Sequence, residues 1–165
     1  MIGRSDIEQA AGRIRPFIHN TQLFTSSFFN SQLGAEVFFK AENLQKTGSF
    51  KARGAVNSVK KLAAEERRLG AATHSSGNHG QALAWAAQQQ NIPAFIVMPE
   101  NAPSVKVQAV EGYGAEVIFC EANLAARESK LQEVMEKKGA VFIPPYNYQD
   151  TIEGQATCAL EIIHM

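Results

Sequence analysis

Cysteine, tryptophan, proline and net charge are all scarce in this 165-residue sequence, which has two Cys, one Trp, six Pro and sixteen basic side chains against sixteen acidic ones. Cys120 and Cys158 lie far apart, outside any C-x-x-C pairing. They exclude a disulfide scaffold and a structural zinc site, and read as reduced thiols of an intracellular protein. A zero charge balance exerts no pull on nucleic acid or acidic lipid. No apolar run approaches the ~20 residues of a membrane span. The opening Met1-Ile2-Gly3-Arg4-Ser5-Asp6 lacks the apolar region of a secretory signal. His19, His74, His79 and His164 lack the spacing of metal ligands, so no metal site is expected here. What remains is ordinary globular composition, 45% hydrophobic and 19% charged, enough for one domain of about 150 residues or slightly more. These absences lead us to expect a soluble cytoplasmic protein with neither nucleic-acid nor membrane partners.

Local patterns then divide the chain. Ser5-Asp6-Ile7-Glu8 reads as a capping box opening a helix that Pro16 ends, and Glu36–Lys40 reads as a short strand. A helix is predicted from near Ser49 to about Leu69, closed by Gly70. From residue 71 onward strands and helices alternate. The predicted strands are Ala71–His74, Ala94–Met98, Ala115–Cys120 and Ala140–Ile143. The predicted helices lie near Asn78–Gln90, Pro103–Gly112 and Asn123–Lys138. Such alternation gives a doubly wound parallel α/β sheet. Asp150-Thr151-Ile152-Glu153 looks like a second capping box, opening a helix with no stop signal before Met165. Trp85 reads as core packing, and Lys60-Lys61 with Arg67-Arg68 around Glu65-Glu66 as a solvated helix face.

Two stretches carry candidate chemistry. Lys46-Thr47-Gly48-Ser49-Phe50-Lys51-Ala52-Arg53-Gly54 places Lys51 in the first turn of a helix. A cation there opposes the helix dipole, which favours the neutral, nucleophilic amine of a Schiff-base lysine. Taken alone, a lone Lys51 in a helix reads first as a surface lysine. Thr73-His74-Ser75-Ser76-Gly77-Asn78-His79-Gly80-Gln81 is a strand-to-helix turn with free N–H groups, hydroxyls and two glycines, an arrangement suited to an anion. Ser, Asn and Gly also cap helices with no ligand at all. Neither a G-x-G-x-x-G nor a G-x-x-x-x-G-K-[ST] fingerprint is present.

Together, Ser49–Ala55 and Ser75–Gln81 strongly resemble the serine racemase/serine-threonine dehydratase family, which are fold-type II pyridoxal-phosphate enzymes of the tryptophan synthase β-like architecture. Glu42–Gly48, Ile143-Pro144-Pro145-Tyr146 and Gly154-Gln155-Ala156-Thr157 extend the likeness over essentially the whole chain, with Ala156 standing where the family usually has glycine. The resemblance implies that Lys51 holds pyridoxal phosphate covalently and takes the substrate Cα proton. It implies that Phe50 packs on the cofactor ring and that Asn78 bonds its phenolic oxygen. Ser75, Ser76, Gly77, Asn78 and His79 would bind the substrate carboxylate. Ser76 would face the substrate opposite Lys51 and supply the second acid-base group that inversion needs; its other reading is a helix N-cap. A nucleotide, ATP, would contact Ser26, Ser27, Lys46, Thr47, Gln81 and Tyr113.

The implied reaction is racemisation and/or β-elimination of serine or a similar small amino acid, giving pyruvate and ammonia from L-serine, by a homodimer. Threonine, aspartate and hydroxyaspartate are further candidate substrates. The expected division puts residues 1–70 with 146–165 in an incomplete large cofactor-binding domain and 71–145 in a small α/β domain. Family members are longer, and their glycine-rich phosphate loop and divalent-cation site (Mg or Ca) have no counterpart in this sequence. The chain by itself is therefore expected to be catalytically weak. The alternative is a non-catalytic truncated isoform that competes for dimer partners.

Overall fold

The computed structural model describes residues 1–164, so of the sequence-based assignments that reach Met165 only that last residue lies outside the described residues. Helix α1 (Arg4–Ile14) turns Ala10 and Ile14 inward. Its cap is not the expected Ser5–Glu8 box. Gly3 precedes the helix in extended conformation and donates its N–H to Asp6 Oδ2 at 2.8 Å, leaving Ser5 inside the helix and Glu8 paired with Arg4 at 2.7 Å. Asp6 wins because it sits in the first turn, where a carboxylate meets the positive end of the dipole.

Strand β1 (Leu23–Thr25) pairs antiparallel with β2 (Phe38–Lys40), and the sequence reading had only the second of these. Between them lies α2 (Ser27–Leu33), opened by the Ser26 hydroxyl and closed by Gly34 in the left-handed region. Two single turns, Glu42–Leu44 and Lys46–Gly48, lead into α3 (Lys51–Lys61).

The single helix expected from Ser49 to Leu69 is instead two. Leu62 leaves helical geometry (ψ 134°) and buries its side chain, while Glu66 accepts the Ala63 N–H at 2.7 Å and starts α4 (Ala64–Leu69) afresh. Burying Leu62 is worth about 2 kcal/mol, which helps offset the helical hydrogen bonds lost at the break.

The parallel sheet has the order β5-β4-β3-β6, with β3 Ala71–His74, β4 Ala94–Pro99, β5 Glu116–Cys120 and β6 Val141–Phe142. Helices α5 (Asn78–Gln88), α6 (Ser104–Gly112) and α7 (Leu124–Lys138) connect them. All six residues of β4 are buried, and they alternate between two cores. Ala94, Ile96 and Met98 join Val56, Leu83 and Trp85 on one face. Phe95 and Val97 join Leu131 and Val134 of α7 on the other. That alternation is the period-two signature of a strand covered on both sides.

Helix α8 (Gln149–Ile163) follows an extended Tyr148. The expected Asp150–Glu153 capping box is absent, because both carboxylates face Lys61 of α3. Helices α3 and α8 cross where Gly54 and Gly154 meet. A Cβ on Gly154 would come within 2.6 Å of the Arg53 carbonyl oxygen and 2.8 Å of Gly54 Cα. No helix is long and apolar enough to cross a membrane among the described residues.

Candidate active site at the switch point of the sheet

The chain runs outward through β3, β4 and β5 and then returns to the other side of β3 as β6. The carboxyl ends of β3 and β6 therefore form a topological switch point, where α/β sheets collect ligands. The Ser75–Asn78 turn leaves β3 there, and Ile143-Pro144-Pro145 leaves β6 beside it.

In the turn, Ser75 donates its N–H to the Val97 carbonyl at 3.1 Å and accepts the Gly77 N–H on its hydroxyl at 3.3 Å. Gly80 is required by close packing, since a Cβ would lie 2.4 Å from the Ser75 carbonyl oxygen. A Cβ on Gly77 would meet nothing within 4 Å, so that residue borders open space. Gly77, not Ser76, is the N-cap of α5. Ser76 is half-buried, and its hydroxyl makes no hydrogen bond among the described residues. Asn78 is exposed, with its Oδ1 accepting from Lys106 Nζ at 3.3 Å.

His79 is buried, and its Nε2 lies 2.9 Å from the Ile143 carbonyl oxygen. Burial pushes its pKa down to about 4, and the positive charges of Lys51 and His74 outside it act in the same direction against the opposing Ile143 bond. A neutral ring that donates from Nε2 follows. Its side chain thus braces β6, which leaves the backbone N–H for any carboxylate at the helix start.

Lys51 is the first residue of α3 and is half-buried. Its Nζ donates to the Pro145 carbonyl at 2.7 Å and lies 5.1 Å from the centroid of the exposed Phe50 ring. Burial lowers its pKa from the ordinary lysine value. Thus Lys51 and the Ser75–His79 turn grip the same Ile143–Pro145 segment from different elements. The cavities lie elsewhere, one of about 440 Å³ being lined by Arg15, Asn20, Thr157 and Glu161. Its polar lining groups Thr157 and Glu161 are already bonded to Arg53, so chemistry rather than volume singles out the Lys51 cleft.

The family model of pyridoxal-phosphate dependent enzymes matches residues 14–165. The chain belongs to that family. It is 48% identical over 158 residues to a serine racemase of Dictyostelium discoideum, covering 96% of this chain and 49% of that protein. It is 44% identical to an L-threo-3-hydroxyaspartate ammonia-lyase of Saccharomyces cerevisiae, covering 96% and 48% of the two chains. The solved structure of maize serine racemase superimposes with a TM-score of 0.95 at 44% identity, covering 97% of this chain and 49% of that one. The fold is the fold-type II α/β architecture that the motifs implied. The chain spans about half the length of the curated relatives it matches.

The residues present fit the family's cofactor. A half-buried amine stands beside an exposed aromatic ring, the space bordering Gly77 is open, and the buried Ser49 hydroxyl nearby in sequence has no partner among the described residues.

Arg53 escaped the sequence reading as a functional residue. It is fully buried, with Nε and Nη2 on Glu42 at 2.8 and 2.7 Å and Nη1 and Nη2 on Glu161 at 2.6 and 2.8 Å. Burial opposes its charge, but the bonds to Glu42 and Glu161 outweigh that and hold the guanidinium above its usual range. Two residues beyond Lys51, this double fork ties the start of α3 to α8. Its one signal was a buried-phase arginine in an otherwise small-residue helix.

The nucleotide candidates fall in two places. Lys46 and Thr47 lie in a turn packed on α5, which carries Gln81, and Tyr113 follows α6, also packed on α5. Ser26 and Ser27 open α2. Thr47 is held in the left-handed region (φ 59°), with a buried hydroxyl that has no partner among the described residues. No group of three or more His, Cys, Asp or Glu could hold a metal ion among the described residues.

Proposed function

We propose that the protein built on this chain is a pyridoxal-phosphate-dependent amino-acid racemase and/or β-eliminating dehydratase acting on serine or a similarly small amino acid. The observation that carries this reading is the half-buried Lys51 amine, poised over the exposed Phe50 ring and joined through Ile143–Pro145 to the Ser75–His79 turn. The pyridine ring of the cofactor, when bound, supplies the sink for the electron pair left at Cα.

In this reading Lys51 holds the cofactor and moves the Cα proton, and its lowered pKa favours the neutral amine that does both. Phe50 offers its exposed face to the cofactor ring, and Asn78 a side-chain amide to its phenolic oxygen. The turn formed by Ser75, Ser76, Gly77, Asn78 and His79 receives the substrate carboxylate at the positive end of α5, while the Ser75 N–H stays on the Val97 carbonyl. Ser76, its hydroxyl uncommitted, delivers a proton to the face opposite Lys51, which turns deprotonation into inversion. When the β-hydroxyl departs first, the same opening step leads to pyruvate and ammonia.

The similar serine racemase and ammonia-lyase support both outcomes. The same reading includes a homodimer, a cytoplasmic location and the division into residues 71–145 and the rest. It also includes a divalent cation (Mg or Ca) and a nucleotide, ATP, at Ser26, Ser27, Lys46, Thr47, Gln81 and Tyr113, where the orphan Thr47 hydroxyl supports a ligand.

Incubation with pyridoxal phosphate, borohydride reduction and peptide mapping should place the adduct on Lys51; its absence there overturns the proposal. With L-serine as substrate, Ser76→Ala should lower D-serine formation by ~10²–10⁴ while pyruvate formation persists.

A further inference from the structure

Three successive carbonyls leave β6, and a different side chain holds each. His79 Nε2 takes Ile143 at 2.9 Å, the Thr151 hydroxyl takes Pro144 at 3.1 Å, and Lys51 Nζ takes Pro145 at 2.7 Å. Among the described residues, Pro145 alone of the three has a second donor, Gln155 Nε2 of α8, at 3.4 Å. Gln155 lies in a slot that exists because residue 54 is glycine. A Cβ there would meet Gln155 Cγ at 2.9 Å and its Nε2 at 3.1 Å. The side chain is therefore positioned by the α3–α8 crossing and directed at the carbonyl that Lys51 occupies.

We propose that Gln155 is a positioning residue that takes over the Pro145 carbonyl when Lys51 forms its covalent bond to an aldehyde. This rests on the reading of Lys51 given above. When an amine condenses with an aldehyde, the nitrogen–carbon bond forms and the aldehyde oxygen leaves as water with two hydrogens from nitrogen. The nitrogen keeps at most one hydrogen, held in the plane of the new double bond. Pro145 then loses its shorter hydrogen bond at the moment the lysine reacts. A half-buried carbonyl left unpaired opposes the reaction. Gln155, already within reach, needs only a small approach to replace the lost donor, so the lysine is released without orphaning the loop. Its neutral amide performs this without placing a charge beside the amine. His79, the other titratable side chain on this segment, is neutral as well.

The test compares Gln155→Met, close in length but without a donor, with Gln155→Leu and the parent protein. Propanal with cyanoborohydride traps the lysine–aldehyde product without the cofactor, and Lys51 alkylation is read by peptide mass relative to exposed Lys137. Both variants should alkylate Lys51 about tenfold more slowly than the parent, the size expected for leaving one half-buried carbonyl unpaired, with Lys137 unchanged. Equal or faster modification of Lys51 in the variants overturns the proposal, and measuring two variants guards against one that fails to fold. Parallel trapping with pyridoxal phosphate separates the two ideas. If the parent forms no pyridoxyl adduct while propanal still distinguishes the variants, the cofactor reading fails and the role of Gln155 stands. If the parent forms the adduct and propanal does not distinguish them, the role of Gln155 fails alone.

Discussion

His79 shows how a single residue in the site couples chemistry to folding. Its ring is buried, pushed down to about 4, and tied to Ile143. Unfolded, the same imidazole titrates near the ordinary 6.5. Because the folded pKa is the lower one, the unfolded chain binds the proton first as the medium is acidified. The stabilisation is complete above about pH 6.5 and is lost as pH falls through about 4. A shift of this size corresponds to roughly 3 kcal/mol. Denaturant unfolding between pH 7 and 4 should show a loss of that order, and His79→Gln should be less stable at pH 7 yet flatter across the window. An equal slope in the variant would place the acid sensitivity elsewhere. The neighbouring Ser76 behaves differently: its half-buried hydroxyl supports no local structure. Ser76→Ala is therefore expected to leave stability within about 0.5 kcal/mol of the parent, so its effect on racemisation can be read directly.

At the scale of elements, the junction of α3 with α8 decides where Lys51 sits. Two glycines bring the helix axes close, and Arg53 then reaches Glu161 and Thr157 across the seam. Gly154→Ala forces a methyl to within 2.6 Å of a backbone oxygen that cannot swing away. The helices must separate, and a loss of about 1–3 kcal/mol is expected from chemical denaturation. Arg53→Met removes the cation between two carboxylates that remain partly buried, with an expected loss of about 3–5 kcal/mol because Glu42 and Glu161 keep their charge without their fork. Lys40, which also contacts Glu161 at 2.6 Å, limits that loss for Glu161.

For the molecule as a whole, the buried core crosses the expected boundary between residues 70 and 71. Ile14, Val56 and Val59 pack in one cluster with Leu83, Met98 and Ile143. Cooperative unfolding of both segments follows if that cluster is the main source of stability. Trp85, the lone tryptophan, lies in α5 and belongs to this cluster. Its fluorescence should therefore change at the same denaturant concentration as the far-ultraviolet circular dichroism of all helices. Separate midpoints would show that residues 71–145 unfold as an independent unit.

Much of this molecule is legible along the chain. The alternation from Ala71 to Phe142 needs only local information, since a strand buried on both faces and an amphipathic helix each carry their period in sequence. Lys51 and the Ser75–His79 turn stand out as candidates in the sequence, but local pattern leaves each ambiguous, and it is the resemblance of the two stretches together that points to a site. The structure departs from local pattern where a competing partner, near or distant, is better placed. Ser5–Glu8 and Asp150–Glu153 both have capping-box spacing, but Asp6 and Lys61 offered better partners. The helix 49–69 is broken where Leu62 turns into the core and Glu66 caps a new start at Ala63. Sequence by itself determined the order of elements from Ala71 onward and the types of reactive groups, through short-range periodicity and backbone preference. Only tertiary structure decided that Lys51, His79, Thr151 and Gln155 converge on Ile143–Pro145, and that Arg53 is locked between Glu42 and Glu161. The contacts of Lys51 with Pro145, His79 with Ile143 and Arg53 with Glu161 join residues more than sixty positions apart, beyond the reach of any local pattern.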